Sequence, residues 1–217
     1  MSSGEKFFDV TLLDGPSLFG AAEAIAERSG SGRLTLDYQV LYDKLSQFRA
    51  DKNWRPASLY SVLLAIDPKS DGQKRFATML RHAGYETNEI DFREVFVSSP
   101  PGHSLSEGSN KSLTSMASRI SYVTGLMARR NAPHYLVVTH AFEVCDPLLD
   151  LSQRIPESQI GIAYFGSLLD YRWKAHGIVD GDSLISFFDL DPYCRDLLGV
   201  DIGRHISGLD NTGLSRF

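Results

Sequence analysis

Asp14 is the residue at which the sequence most clearly brings chemistry to a defined structural position. It ends an apolar, β-branched run and is followed by Gly15, Pro16 and Ser17 and then by an alanine-rich segment with the pattern of a helix. A buried strand that delivers a carboxylate to its C-terminal end, ahead of a turn and a helix, is where open α/β sheets place their chemistry. Asp14 also has a structural interpretation, because an aspartate ahead of such a turn often caps the helix.

Further polar residues follow the most apolar run in the second half of the chain. They are Thr139, His140, Glu143 and Asp146. Carboxylates at the ends of neighbouring parallel strands can bind a hard divalent cation, so Glu143 and Asp146 are the acids that could join Asp14. Each residue has a simpler interpretation as well: Glu143 as an exposed turn residue, Asp146 as a helix cap, and His140 as a hydrogen-bonded turn residue.

Apolar periodicity places these residues in an alternating series of strands and helices. It predicts strands over 7–13, 59–66, 85–97, 135–139, 159–165 and 184–190. It predicts helices over 18–28, 37–49, 73–83, 111–131, 146–154 and 168–175, with a long loop over 98–110. Right-handed crossovers turn such alternation into a parallel, doubly wound sheet, so the expected fold class is α/β. One domain is expected over residues 1–192, with a C-terminal tail over 193–217.

Composition limits the partners and the compartment. The 217 residues carry a net charge of −5, so nucleic acid would have to bind to a local basic patch. Solvated helix faces are the favoured explanation for both groups of basic residues, Lys69, Lys74, Arg75 and Arg81 and then Lys111, Arg119, Arg129 and Arg130. The two cysteines lack metal-ligand spacing, and the sequence shows neither a signal peptide nor an apolar run of about 18 residues, so we expect a cytoplasmic protein without membrane contact.

The order of these motifs resembles the NYN domains of the PIN-like nuclease superfamily, in particular the LabA-like branch. Segment 12–18 is similar to a family strand ending in Ile-Asp-Gly-x-Asn-Leu, and Asp37-Tyr38 stands where a family helix often begins with Asp-Tyr. Segment 73–86 is similar to the family pattern Gln-x-x-Phe…Leu-x-x-x-Gly-(Tyr/Phe)-Glu, and 136–140 corresponds to the strand that leads into Ser-x-Asp-x-Asp-Phe. The resemblance covers about residues 7–192. It implies a PIN-like three-layer α/β/α sandwich with a mainly parallel central sheet, and an endoribonuclease site in which clustered carboxylates hold Mg²⁺ or Mn²⁺.

Carried over position by position, the resemblance implies only part of the family's metal site. Asp14 matches the first acid, whereas Ser17 stands near the place of an asparagine and Thr114 at the expected second acid. In the last acidic motif, Ala141 replaces the first acid and Glu143 lies near the second. The implied catalytic residues are Asp14, Glu143 and Asp146, with Asp14 and Glu143 as the metal ligands. The implied substrate-binding residues are Ser17, Lys111, Thr139 and His140.

Two principal ligands are missing from that set, and one carboxylate with a possible second is a poor site for a divalent ion. We therefore expect a protein with a degenerate acidic site that binds RNA or a protein partner rather than cleaving RNA, and we also expect self-association into a homo-oligomer. The first alternative is an active Mg²⁺- or Mn²⁺-dependent ribonuclease. The second is a structural or inhibitory interaction module without a nucleic-acid role.

Overall fold

The computed structural model describes residues 9–91, 95–96, 114–129, 133–176 and 184–200. Its strands are β1 (Val10–Asp14), β2 (Leu59–Ile66), β3 (Glu86–Asp91), β4 (Val95–Phe96), β5 (Thr114–Ser115), β6 (His134–Val138), β7 (Gln159–Tyr164) and β8 (Ile185–Asp189). Its α-helices are α1 (Gly15–Ser29), α2 (Tyr38–Asp51), α3 (Asp71–His82), α4 (Met116–Met127), α5 (Cys145–Arg154), α6 (Tyr171–Ala175) and α7 (Cys194–Leu198).

The main sheet has six parallel strands in the spatial order β3-β2-β1-β6-β7-β8. The chain passes from β1 to β2 on one side and later returns to β6 on the other, so the topological switch lies between β1 and β6. Doubly wound sheets bind their ligands in the crevice at the C-terminal ends of such a strand pair. Leu13 lies opposite Val138 in the register, so Asp14 and Thr139 follow side by side at that end.

Helices cover both faces of the sheet. Tyr60 of β2 and Tyr135 of β6 are offset by one residue in their register with β1, so the two side chains point to opposite faces. Tyr60 shares a hydrogen bond of 2.6 Å with Ser46 of α2, whereas the hydroxyl of Thr124 in α4 donates to Tyr135 at 3.2 Å. With α3 packed beside α2 and α5 beside α4, the predicted three-layer α/β sandwich with its mainly parallel sheet is confirmed.

The strand region predicted over 85–97 is wrong in its extent. Strand β3 ends at Asp91, and β4 pairs in parallel with β5 in a separate small sheet. Because Thr114 and Ser115 belong to β5, the helix predicted over 111–131 begins only at Met116. The loop predicted over 98–110 and Lys111 lie outside the described residues.

Helix α7 lies in the segment that the sequence assigns to a tail. Cys194 and Leu197 are buried there, and the carbonyl oxygen of Leu197 accepts a hydrogen bond of 2.9 Å from the backbone N–H of Asp37 at the start of α2. The packed core therefore includes the beginning of that segment. In the part of the chain that the structure describes, no helix has both the length and the apolar character needed to cross a bilayer.

The turn between β1 and α1 depends on a glycine. A Cβ atom at Gly15 would lie 2.6 Å from the carbonyl oxygen of Leu63 and 2.9 Å from Cδ2 of Leu64, both in β2. Since that oxygen belongs to the backbone of an inner strand, α1 would have to move away from the sheet to make room.

Gly15→Ala is expected to lower the free energy of unfolding by about 1–3 kcal/mol, because it overpacks this junction. Gly125→Ala is the matched control, since Gly125 lies in α4 with open space at its Cβ position. Alanine should stabilise the helix there by up to about 1 kcal/mol. Urea unfolding measures both variants, and a Gly15→Ala protein as stable as the wild type would contradict this account.

Candidate active site at the switch point

Asp14 ends β1 and caps α1. Its backbone is extended (φ −86°, ψ 95°), and its Oδ1 accepts a hydrogen bond of 3.2 Å from the backbone N–H of Ser17. The carboxylate therefore occupies the amino end of α1, toward which the N–H groups of the first turn point. Nucleotide phosphates bind at this position in many doubly wound proteins, whereas here one of the chain's own side chains fills it.

The second carboxylate oxygen of Asp14 is held by two hydroxyls. Its Oδ2 accepts hydrogen bonds from Oγ of Ser17 at 2.5 Å and from Oγ1 of Thr139 at 2.8 Å. Asp14 is only 2% exposed and Thr139 is fully buried. These donors replace water that the carboxylate loses on burial, so both oxygens of Asp14 are hydrogen-bonded within the protein.

His140 lies on the other side of Ser17. Its Nδ1 is 2.7 Å from Oγ of Ser17, and the indole N–H of Trp173 donates to its carbonyl oxygen at 3.1 Å. Because the Ser17 hydroxyl donates to Asp14, the consistent arrangement has the Nδ1–H of His140 donating to Ser17. We call Asp14, Ser17, Thr139 and His140 the switch-point cluster.

The switch-point cluster is not arranged for nucleophilic catalysis. In a Ser-His-Asp site the imidazole lies between the acid and the hydroxyl and takes the hydroxyl proton. Here the hydroxyl of Ser17 lies between the other two groups, and its proton already points at the carboxylate. Ser17 is 2% exposed and His140 5%, so the hydroxyl does not face a space that a substrate could enter. The cluster instead connects α1 to the loop after β6.

Two aromatic residues support the cluster, and the sequence indicates a core or interface position for both rather than a polar role. The hydroxyl of Tyr164, at the end of β7, donates to the carbonyl oxygen of Ser17 at 2.8 Å, across 147 positions of sequence. Burial, reinforced by the charge of Asp14, raises the pKa of Tyr164 well above its ordinary value, so the hydroxyl keeps its proton as a donor. Trp173 of α6 is fully buried and holds His140 as described above. No local pattern indicates such distant polar partners.

Glu143 and Asp146, the other two predicted catalytic acids, are exposed residues outside the cluster. Glu143 lies 3.5 Å from the guanidinium of Arg172, which pairs more closely with Asp170 at 2.7 Å. The hydrogen bond from Arg172 holds the pKa of Asp170 below its ordinary value. Asp146 lies in the first turn of α5 but does not cap it, because the N-cap position belongs to Val144 and no side chain bonds there.

The described residues fit a divalent ion poorly. Across the described ranges, no group of three or more His, Cys, Asp or Glu side chains is placed to hold a metal ion. Mg²⁺ and Mn²⁺ prefer several oxygen ligands, and the implied ligand pair consists of a buried Asp14 and a Glu143 that faces Arg172. Of the predicted substrate-binding residues, Ser17, Thr139 and His140 come together around Asp14, while Lys111 lies outside the described residues.

A second polar surface lies at the same end of the sheet, at the start of α3. Lys69, Lys74 and Arg75, which we call the α3 basic face, are exposed and form no ion pair with any residue that the structure describes. Asp71, Lys74, Arg75 and Thr78 line a shallow depression of about 310 Å³. The carboxylate of Asp71 reduces the positive charge there without cancelling it.

Comparison with protein-family models, with curated proteins and with solved structures gives no match for this chain.

Thr139→Val is expected to lower the free energy of unfolding by about 1–3 kcal/mol, since it keeps the side-chain shape but removes hydrogen bonds. Asp14 loses a donor at 2.8 Å, and the backbone N–H of Ala141 loses its acceptor at 3.1 Å. Thr78→Val makes the same chemical change on exposed α3, where Oγ1 donates to the carbonyl oxygen of Lys74 at 3.0 Å. It should change stability by less than about 0.5 kcal/mol. Urea unfolding of both variants decides, and equal effects would refute a special role for the buried hydroxyl.

Proposed function

We propose that this chain is a PIN-like protein of the NYN type that binds RNA without cleaving it. The observation that carries the proposal is the hydrogen bonding of Asp14, which corresponds to the first metal ligand of the family that the sequence resembles. Its two carboxylate oxygens are engaged by Ser17 and Thr139. A metal-dependent nuclease needs those oxygens to face a cation and its bound water.

A cation could replace the hydrogen bonds at Oδ2 of Asp14 only by displacing the hydroxyls of Ser17 and Thr139. Hydrogen bonds to a charged group contribute about 1.5–3 kcal/mol each, so freeing Oδ2 from both hydroxyls costs about 3–6 kcal/mol before the metal contributes anything. In the described part of the chain, no cluster of additional ligands stands ready to offset that cost. The geometry therefore supports binding over catalysis.

The α3 basic face supports RNA as the partner. It begins just after β2, the neighbour of β1, and so lies at the same end of the sheet as the switch-point cluster. With a net charge of −5 the chain as a whole does not attract phosphate, so contact must be local and made by cations that are not already paired. Lysine and arginine contacts to phosphate carry no base specificity, which suits a protein that holds RNA rather than reading its sequence.

We expect the protein to leave single-stranded RNA intact in the presence of Mn²⁺, and Mn²⁺ to leave its melting temperature unchanged. A metal ion that binds the folded protein and is present at a hundred times its Kd would raise the melting temperature by about 5–10 °C, so thermal melting is a sensitive measure of binding. Asp14→Asn is the control for cleavage. Mn²⁺-dependent cleavage that disappears in Asp14→Asn would overturn the proposal and establish the ribonuclease alternative.

The double variant Lys74→Gln/Arg75→Gln is expected to weaken RNA retention in filter binding. For each phosphate that the protein no longer neutralises, the slope of log K against log salt should fall by about 0.7 for single-stranded RNA. The matched control, Lys52→Gln/Arg129→Gln, removes the same charge from exposed positions just beyond α2 and α4, near the amino ends of β2 and β6. It should leave both retention and slope nearly unchanged.

The remaining outcomes separate the other possibilities. Equal weakening by the two double variants would mean that net charge alone governs retention, which contradicts a role for the α3 basic face. Absence of retention at low and at high ionic strength would favour the interaction module without a nucleic-acid role.

A further inference from the structure

The amino ends of β1 and β6 are joined by a second polar cluster, which the proposed function does not use. Asp9 directly precedes β1, and its carboxylate accepts hydrogen bonds from Nε and Nη2 of Arg55 at 2.8 and 2.9 Å. The backbone N–H of His134, the first residue of β6, donates to the same carboxylate at 2.9 Å. Arg55 belongs to the connector 52–58 between α2 and β2, so one carboxylate ties together the connector and two central strands.

The imidazole of His134 completes this arrangement as an acceptor. Its Nδ1 accepts a hydrogen bond of 2.7 Å from the backbone N–H of Arg55. A ring nitrogen that accepts a hydrogen bond carries no proton, so the form that fits is neutral His134 with its proton on Nε2. A proton added at Nδ1 would point directly at the N–H of Arg55 and break that bond.

The charged groups around His134 also disfavour its protonation on balance. Burial, followed by the charge of Arg55, lowers the pKa of His134 below its ordinary 6.5, with Arg49 of α2 adding to the effect and Asp9 opposing it. The Nη2 of Arg49 donates to the carbonyl oxygen of His134 at 2.9 Å, which places the second cation beside the same residue. These are the charged groups that the described elements packed against His134 present to it.

We propose that His134 acts as an acid-sensitive latch, whose protonation frees the backbone of Arg55, in the connector 52–58, from the amino end of β6 while the side chain of Arg55 stays paired with Asp9. The connector forms further hydrogen bonds besides the one to His134. The carbonyl oxygen of Arg55 accepts a hydrogen bond of 3.0 Å from Nε of Arg49, and the backbone N–H of Ser58 donates to the carbonyl oxygen of Asp9 at 2.8 Å. Movement of the Arg55 backbone would therefore also weaken its bond to Arg49, a side chain that is 1% exposed.

The direction of the pH effect follows from linkage. The folded state keeps His134 neutral in a pH range where the unfolded chain already binds a proton, so stability falls as the pH drops below about 6.5. The fall ends once the pH lies below the lowered value in the folded state. Asp9 affects stability in a separate pH range. Burial would raise its pKa, but the hydrogen bonds from Arg55 and His134 outweigh that effect and lower it. The stabilisation of the folded state by Asp9 is therefore lost only from about pH 3.8 downward.

The test compares the wild type with His134→Asn, because the Oδ1 of asparagine can take the place of Nδ1 as an acceptor but does not titrate. Between about pH 7.5 and pH 5 the melting temperature of the wild type should fall further than that of the variant. Hydrogen exchange at the backbone N–H of Arg55 gives the local readout. After correction for intrinsic exchange rates, the protection of this N–H should decrease in the wild type as the pH is lowered. In the variant it should stay constant.

His82→Asn is the matched control, since His82 is an exposed histidine of α3 whose Nδ1 lies 2.8 Å from the carbonyl oxygen of Thr78. It should keep the pH dependence of Arg55 N–H protection that the wild type shows. The proposal fails if His134→Asn also keeps that dependence, or if protection of the Arg55 N–H does not change with pH in the wild type. Should His134→Asn not fold, NMR of the wild-type imidazole decides instead: a proton on Nε2 and a midpoint below 6.5 support the latch, and an Nδ1–H form or a higher midpoint overturns it.

Discussion

The buried carboxylate of Asp14 can occupy the end of the sheet only because hydroxyl and amide donors replace the water it would otherwise bind. Ser17 supplies two of these donors from the next turn of chain, and Thr139 supplies the third from 125 positions away. At the crevice where a doubly wound sheet usually receives its ligand, the strand-end carboxylate is therefore already bound by the protein's own groups. The same bonds that keep Asp14 inside the protein keep its oxygens from other chemistry.

The opposite end of the sheet holds a buried cation, Arg49, whose charge must likewise be hydrogen-bonded within the protein. Arg49 is buried, and its guanidinium donates to the carbonyl oxygens of Val10, Arg55 and His134 and to the hydroxyl of Thr11. Burial lowers the pKa of Arg49, since its partners in direct hydrogen bonds are neutral oxygens. Asp14 at one end of the central strands and Arg49 at the other are thus buried ionic groups whose direct partners are neutral, and the Asp9–Arg55 ion pair lies beside Arg49.

Features set by local physics could be predicted from the sequence. The apolar run 59–66 forms β2 with the predicted bounds, and Asp37, the first residue of the helix predicted over 37–49, caps α2 by accepting from the backbone N–H groups of Gln39 and Val40. Asp14 had two interpretations, and its capping role follows from contacts with residues close in sequence. The alternation of strands and helices along the sequence was enough to predict the α/β fold class.

Features that depend on distant partners could not be predicted. Ser17 and His140 were both candidate site residues, but they lie 123 positions apart, and no local pattern shows that they share a hydrogen bond. Nor does the sequence show that the hydroxyl of Ser17 lies between the carboxylate of Asp14 and the imidazole of His140. The two-residue strands β4 and β5 are too short to show an apolar period, and each forms by pairing with the other.

Strand β1 also depends on partners that are synthesised later. It pairs with β2, which begins at residue 59, and with β6, which begins at residue 134. Until the ribosome has made β6, one edge of β1 keeps open N–H and C=O groups, and an apolar strand edge of that kind is a template for pairing between nascent chains.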